Sequence, residues 1–126
     1  MLKEKYHKAN KKKKERIKKI IERVMKKFKI KNYLIAGSFA TRNYFKDIDI
    51  VILDKVSKKK MLKVWMELEK LVGIEIDLRS FDELSDPVKF SMITKSIKHV
   101  DKKTYARLVR FTYLYTDFAE WLKKWI

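Results

Sequence analysis

Cysteine is missing from all 126 residues, which excludes a disulfide framework and a thiolate zinc site. Histidine is scarce as well. His7 and His99 are isolated from one another and form no metal cluster, so any catalytic metal has to sit on oxygen ligands. No apolar run approaches the roughly 20 residues that span a bilayer, and the N-terminus lacks the uninterrupted apolar core of a secretory signal. A soluble, cytoplasmic protein without membrane association is therefore the expectation. Glycine occurs twice and proline once, and apart from a basic N-terminal tract there is no repeat, linker or low-complexity stretch to mark a domain boundary.

What remains is a chain of ordinary single-domain size, residues 1–126, with 46% hydrophobic residues, enough for one core. Its formal charge of +17 is uneven: residues 1–30 carry 14 Lys and Arg against 3 acids, net +11, leaving +6 for the rest. Residues 1–14 read as a basic, mobile extension. Such an arm can lie along nucleic-acid phosphate, gaining affinity by counterion release, and so makes RNA contact one expectation. Lys outnumbers Arg 27 to 6, however, and lysine enrichment also marks hyperthermophile proteins, so the charge has a second, structural reading.

Ile17, Ile20, Ile21, Val24, Met25 and Phe28 repeat at helical spacing and predict an amphipathic first helix. Tyr33 to Ala36 and Asp47 to Leu53 are apolar runs of strand length. Met61, Val64, Trp65, Leu68, Leu71 and Val72 fit one helical face, and Ile74, Ile76 and Leu78 alternate with Glu75, Asp77 and Arg79 as a half-buried strand does. Ser80 with Glu83 three residues on reads as a capping box, and Asp86-Pro87 as the N-cap and first position of a short helix. From about Asp101, Leu108, Phe111, Tyr115, Phe118, Leu122 and Trp125 recur at steps of three and four, predicting a long helix with an aromatic face. Tyr105, Leu114 and Trp121 widen that face beyond the ~100° that packing on one core requires, which points to a partner surface. Met25, Trp65 and Phe111 match core spacing, and Tyr113 projects away from the stripe.

The chemistry concentrates in three places. Gly37-Ser38 follows the first strand directly, where a missing Cβ lets backbone approach a phosphate and the serine hydroxyl can donate to it. Asp47 and Asp49 open the next strand, and one residue apart on a strand they point to the same face, where mutual repulsion makes a cation between them favourable. Mg²⁺ takes one or two carboxylates plus substrate phosphates. Asp77 lies on the polar side of the third strand, with Glu75 as its rival. If that strand pairs with the Asp47 strand, three carboxylates converge, as in sites that clamp two metals ~4 Å apart and activate a hydroxyl.

The stretches GSFATRNYFKDIDIVIL and GIEIDLRSFDEL resemble the polymerase-beta-type nucleotidyltransferase signature, particularly its minimal nucleotidyltransferase (MNT) branch, from about residue 17 to the C-terminus. Residues 81–85 and the closing helix around residues 115–118 are similar to the antitoxin members of HEPN/MNT toxin-antitoxin pairs. The resemblance implies an α+β (α/β) fold with a mixed sheet of about three or more strands flanked by helices. It implies that Gly37, Ser38, Thr41 and Arg42 bind the triphosphate of ATP, that Asp47 and Asp49 coordinate Mg²⁺, and that Asp77 is base or metal ligand. Arg42 stands where members usually carry glycine, the loop before Asp47 is some two residues shorter, and Lys46 replaces a serine. Arg42 either contacts phosphate or fills space.

Relatives that act on RNA or drugs bring further domains for the acceptor, whereas this chain ends about 50 residues after Asp77. The expected reaction is therefore transfer of AMP from ATP to a hydroxyl of a partner protein, a HEPN toxin, docked on the C-terminal helix, which could alternatively make a homo-oligomer. Transfer of a nucleotide to RNA or tRNA, and a catalytically silent module that neutralises its partner by binding, are the competing expectations.

Overall fold

The computed structural model of the chain describes residues 7–125. Its centre is a four-stranded mixed sheet of β2 (Tyr33–Ala36), β4 (Ile48–Ile52), β5 (Ile76–Ser80) and β6 (Ile97–His99), in the order β5-β4-β2-β6. β4 and β5 run parallel, and β2 is antiparallel to both of its neighbours. A separate two-stranded ribbon pairs β1 (His7–Lys8) with β3 (Tyr44–Phe45).

Alternation along the strands divides the interior into two layers. Tyr33, Ile35, Ile48, Ile50, Ile52 and Ile76 point to one face, where α1 (Lys11–Lys27) and α3 (Lys58–Val72) cover them. Leu34 and Val51 point to the other and pack with Ile93 of α4 (Asp86–Thr94) and Leu108 of α5 (Lys102–Lys123). β4 is thus apolar on both faces except at Asp49, the reading of a strand buried between two helical layers. Each fully buried aliphatic side chain in it contributes roughly 2 kcal/mol. The α1 stripe fits this picture, burying Ile17, Ile21, Val24 and Met25.

Helix boundaries follow their caps. Asn10 accepts from the Lys13 N–H at 2.9 Å, Ser57 from Lys60 at 3.2 Å, and Asp101 from Thr104 at 2.7 Å. Gly73 ends α3 in the left-handed conformation at φ 73°. The expected capping box at Ser80 does not form, because the chain passes from β5 straight into a single 3₁₀ turn, Phe81–Glu83, without a side-chain cap bond. Ser85, one residue before Asp86, occupies the N-cap of α4, which puts Pro87 inside the first turn. Strand β5 starts at Ile76 rather than Ile74, although Ile74 is buried on the expected side.

Two further expectations need correction. The extension assigned to residues 1–14 is, over its described part 7–14, strand β1 and the first turn of α1, held by pairing with β3 and by the Asn10 cap; residues 1–6 lie outside the described residues. Leu71 and Trp65 are not core: Leu71 is 50% exposed, and Trp65 lies at the layer's rim, where its indole N–H donates to the Ile76 carbonyl at 2.9 Å. So small a sheet face cannot cover two full helical stripes, and the outer edge of α3 faces water. Among the described residues no helix is long and apolar enough to cross a membrane.

The aromatic stripe of α5 belongs to the body only over its first half. Leu108 is buried, Phe111 and Tyr115 are half-buried against Phe81 and Phe90, and Phe118 (56%), Trp121 (53%) and Trp125 (74%) are exposed.

Candidate active site

Antiparallel pairing of β2 with β4 sets Ala36 opposite Asp49, and parallel pairing of β4 with β5 sets Asp49 opposite Asp77. Because alternate residues of these strands face the α1/α3 layer, Asp49 and Asp77 share the α4/α5 face. The turn after β2 therefore arrives beside the acids. Gly37 adopts φ 73° and ψ −162°, and a Cβ there would lie 2.3 Å from Asp49 Oδ2. The glycine is required twice over: its dihedral disfavours L side chains, and the space a methyl group needs is filled by the Asp49 carboxyl.

Asp49 is half-buried, and its carboxyl is pushed up to about 6 from the ordinary 3.8. Desolvation is the largest cause, followed by repulsion from Asp47 and Asp77, with Arg79 pulling the other way and a hydrogen bond with Asp77 adding to the rise. Asp47 stands just before β4 rather than within it, and acts on Asp49 through its charge. Asp77 Oδ1 accepts from Arg79 Nε at 3.2 Å. Arg79 is two residues along the same strand and so on the same face.

The expected three-acid metal cluster is not assembled by the protein alone. Among the described residues no group of three or more His, Cys, Asp or Glu is disposed to hold a metal ion. The physical reason is visible in the bonding: like charges cannot crowd together unaided, Asp49 turns to a hydrogen bond with Asp77, and Asp77 takes its countercharge from Arg79. The donor chemistry nonetheless fits Mg²⁺. The oxygens are hard ligands, one or two carboxylates suffice when substrate phosphates complete the shell, and the repulsion that raises Asp49 is what a divalent cation relieves.

Ser38 opens the four-residue helix α2 (Ser38–Thr41), directly after the glycine. Thr41, expected to bind nucleotide, donates its hydroxyl to the Gly37 carbonyl at 3.3 Å and so also stabilises the turn. Arg42 is exposed, and its carbonyl accepts from the Lys14 ammonium. Gly37, Ser38, Thr41 and Arg42 line a cavity of about 210 Å³ together with Ser91, Met92 and Lys95 of the α4 end. Ser91 and Lys95 were not anticipated. They are more than fifty residues from Ser38 in sequence, and only the packing of α4 over β2 brings them in, so no local pattern could have marked them.

The family model for polymerase beta nucleotidyltransferases matches residues 18–104, most of the chain. The chain belongs to the polymerase beta nucleotidyltransferase family. The matched range contains the Gly37-Ser38 turn and all three acids. No curated protein sequence matches the chain. Among solved structures, a toxin–antitoxin crystal structure with AMP-PNP aligns at a TM-score of 0.67 and 16% identity, covering 84% of this chain and 92% of that one. A crystal structure from Shewanella oneidensis aligns at a TM-score of 0.65 and 17% identity over 92% and 94% of the two chains. A structure of tri-AMPylated Shewanella oneidensis HEPN toxin in complex with MNT antitoxin aligns at 0.62 and 13% identity over 88% and 90%. At these identities the likeness establishes a shared nucleotidyltransferase fold, and it agrees with the α+β architecture and long closing helix read from the sequence.

Proposed function

We propose that this nucleotidyltransferase-fold chain transfers AMP from ATP to a hydroxyl of a partner protein, a HEPN-type toxin, and thereby serves as its antitoxin. The observation that carries the reading is the juxtaposition of the Gly37-Ser38 turn with Asp49 and Asp77 on neighbouring strands of one sheet face. AMP-PNP in one structural neighbour and a tri-AMPylated HEPN toxin in another support the nucleotide and the acceptor.

In this reading Ser38 donates to a phosphate oxygen and the glycine backbone lies against the phosphates. Mg²⁺, held by Asp47 and Asp49, would supply the positive charge that the phosphates and carboxylates require. The acceptor oxygen attacks the α-phosphorus, the bond from that phosphorus to the bridging oxygen breaks, and pyrophosphate leaves with the bonding electrons. Asp77 takes the hydroxyl proton. The partner docks on the exposed aromatic half of α5, whose Phe118, Trp121 and Trp125 have the character of interface anchors. A second copy is a poorer match for that face, because two chains of formal charge +17 repel one another.

The test is incubation of the purified protein with a purified HEPN toxin and ATP labelled at the α-phosphate. Label is expected on the toxin with the wild type and Mg²⁺, and on nothing with Asp49→Asn. Undiminished transfer by Asp49→Asn would overturn the metal assignment. Neutralisation of the toxin by a variant with Asp47, Asp49 and Asp77 all replaced by alanine would favour a silent binding module.

Transfer to RNA is the second reading, favoured by the +11 charge of residues 1–30. RNA binding that falls steeply with salt, together with label on RNA instead of toxin, would select it.

A further inference from the structure

The sheet ends at β5, and among the described residues no strand pairs beyond it. The Ile48 N–H donates to the Glu75 carbonyl at 3.0 Å, and in a parallel ladder alternate residues bond the same neighbour, so Asp77 and Arg79 turn their backbone groups toward β4. Ile76, Leu78 and Ser80 turn theirs outward. The Trp65 indole N–H, on the Ile76 carbonyl at 2.9 Å, closes the start of that edge. Leu78 and Ser80 are left as an open stretch, the part of a sheet with which another extended chain can pair. Beside it, on the α3 side, lies a cavity of about 440 Å³ lined by Met61, Leu62, Trp65 and Leu78. Asp77 and Arg79 stand on the other face of the same strand.

We propose that this edge receives the acceptor hydroxyl on an extended segment of the partner protein, added antiparallel to β5 and read as an acidic, an apolar and a hydroxyl residue in that order. The inference rests on the nucleotidyltransferase reading above and adds to it how the acceptor is recognised. Antiparallel pairing is the more stable per residue, and it lets one residue of the segment exchange both of its backbone bonds with Leu78. The side chain of that residue shares the Leu78 face and enters the cavity, an apolar anchor against Met61, Leu62 and Trp65. The residue before it falls opposite Arg79 and the residue after it opposite Asp77, both on the face that carries Asp49. An acid at the first position meets the exposed Arg79 guanidinium, and the chain's formal charge of +17 favours it. The acid also competes for the guanidinium that donates to Asp77 Oδ1 at 3.2 Å, which releases the Asp77 carboxylate toward the hydroxyl beside it. Trp65 fixes the register, because with the Ile76 carbonyl taken the segment cannot slide on past Asp77. Added strands gain affinity from the main chain and selectivity from pockets for alternate side chains, the combination this edge offers. A second copy of the chain suits it less, since both copies carry +17.

The experiment is amide NMR of the isotopically labelled full chain, titrated with a peptide whose core is Glu-Leu-Tyr, with the same peptide N-methylated at the leucine, and with its Lys-Leu-Tyr counterpart. The wild type is expected to bind the first, with the largest shifts at the Leu78 and Ser80 amides. N-methylation removes the N–H offered to the Leu78 carbonyl and is expected to weaken binding about tenfold or more. Arg79→Glu, a change at an exposed position, is expected to reverse the preference between the Glu and Lys cores, and Leu62→Asp to weaken binding of both. Equal affinity for the methylated peptide, an unreversed preference in Arg79→Glu, or shifts away from β5 overturns the proposal. So do Leu78 shifts that grow with protein concentration alone, which would seat a second copy on the edge. A companion titration with Mg-ATP separates the two readings. ATP bound without peptide overturns the edge alone, peptide bound without ATP overturns the nucleotidyltransferase reading and leaves a docking site only, and neither bound overturns both. With both bound, ATP labelled at the α-phosphate is expected to label the tyrosine, and an unlabelled peptide overturns the acceptor register.

Discussion

Replacing Asp49 by asparagine is expected to make the metal-free protein more stable while destroying its capacity to bind Mg-ATP. In the fold the Asp49 carboxyl titrates at about 6 instead of 3.8, chiefly through desolvation and then through Asp47 and Asp77. A displacement of that size corresponds to about 3 kcal/mol, and solvent around a half-buried carboxyl reduces the figure to about 1–2 kcal/mol. The sign follows from proton binding. Between pH 3.8 and about 6 the folded protein holds the Asp49 proton more tightly than the unfolded chain, so stability falls as pH rises through that window and stays low above it. The asparagine side chain is neutral at every pH, so the variant's advantage is expected to be near zero at about pH 4 and complete by about pH 7. Thermal unfolding without Mg²⁺ should show the variant melting roughly 4–8 °C higher at about pH 7.5 and level with the wild type at about pH 4. Saturating Mg-ATP reverses the order, because a ligand at a hundred times its dissociation constant adds about 2.7 kcal/mol to the wild type alone. A variant no more stable at the higher pH, or equally favoured at both pH values, would refute the electrostatic account of the site.

Gly37→Ala is expected to lose ATP binding and at least about 2 kcal/mol of stability, since φ 73° with ψ −162° is a conformation essentially reserved for glycine, costing about 1–3 kcal/mol, and the new methyl displaces the Asp49 carboxyl. Gly73→Ala is its control: it meets nothing within 4 Å, so in urea denaturation it should show the dihedral cost only, with ATP affinity unchanged. Asn32→Ala should cost about 2–3 kcal/mol in the same assay, because the buried Asn32 amide bonds Asp54 Oδ1 at 2.8 Å and accepts the Asp101 N–H at 2.8 Å, tying the β4 end to the start of α5.

Much of the site could be read from the chain because its parts are local. Gly37-Ser38 follows a four-residue apolar run that is β2 to the residue, and Asp47 and Asp49 flank the first residue of β4, a central strand that is otherwise apolar. The pairing of β5 beside β4, which the sequence raised only as a condition, is the parallel ladder observed, with Asp77 opposite Asp49. The start of α5 near Asp101 was legible too, and in the fold the Asp101 side chain caps that helix. What could not be read is what long-range pairing creates. Strands β1, β3 and β6 have two or three residues each and no period to detect, and they exist because β1 meets β3 and β6 meets β2. Ser91 and Lys95 enter the cleft through helix packing alone. The serine at 80 failed as a cap because its turn is too short to hold a second bonded turn.

The loop before Asp47 shows how such long-range pairing bears on the site. Residues 42–46 carry the chain from α2 back to β4 with the two-residue strand β3 as their regular structure. The fold supplies the order from outside. The Asn43 carbonyl accepts from the Ala9 N–H at 3.0 Å, Tyr44 and Phe45 pair with Lys8 and His7, and Lys14, its ammonium pKa lowered first by desolvation and then by Lys18, donates to the Arg42 carbonyl. Phe45, fully buried, meets Phe39 of α2 edge to face with centroids 4.9 Å apart. The basic N-terminal segment, for which composition alone allows an RNA-binding role, is thus, from residue 7 onward, the brace of the loop carrying Arg42. Loss of ATP binding on truncation of residues 7–14 therefore follows from the brace and not from an RNA-binding role, which would show instead as RNA binding that falls steeply with salt.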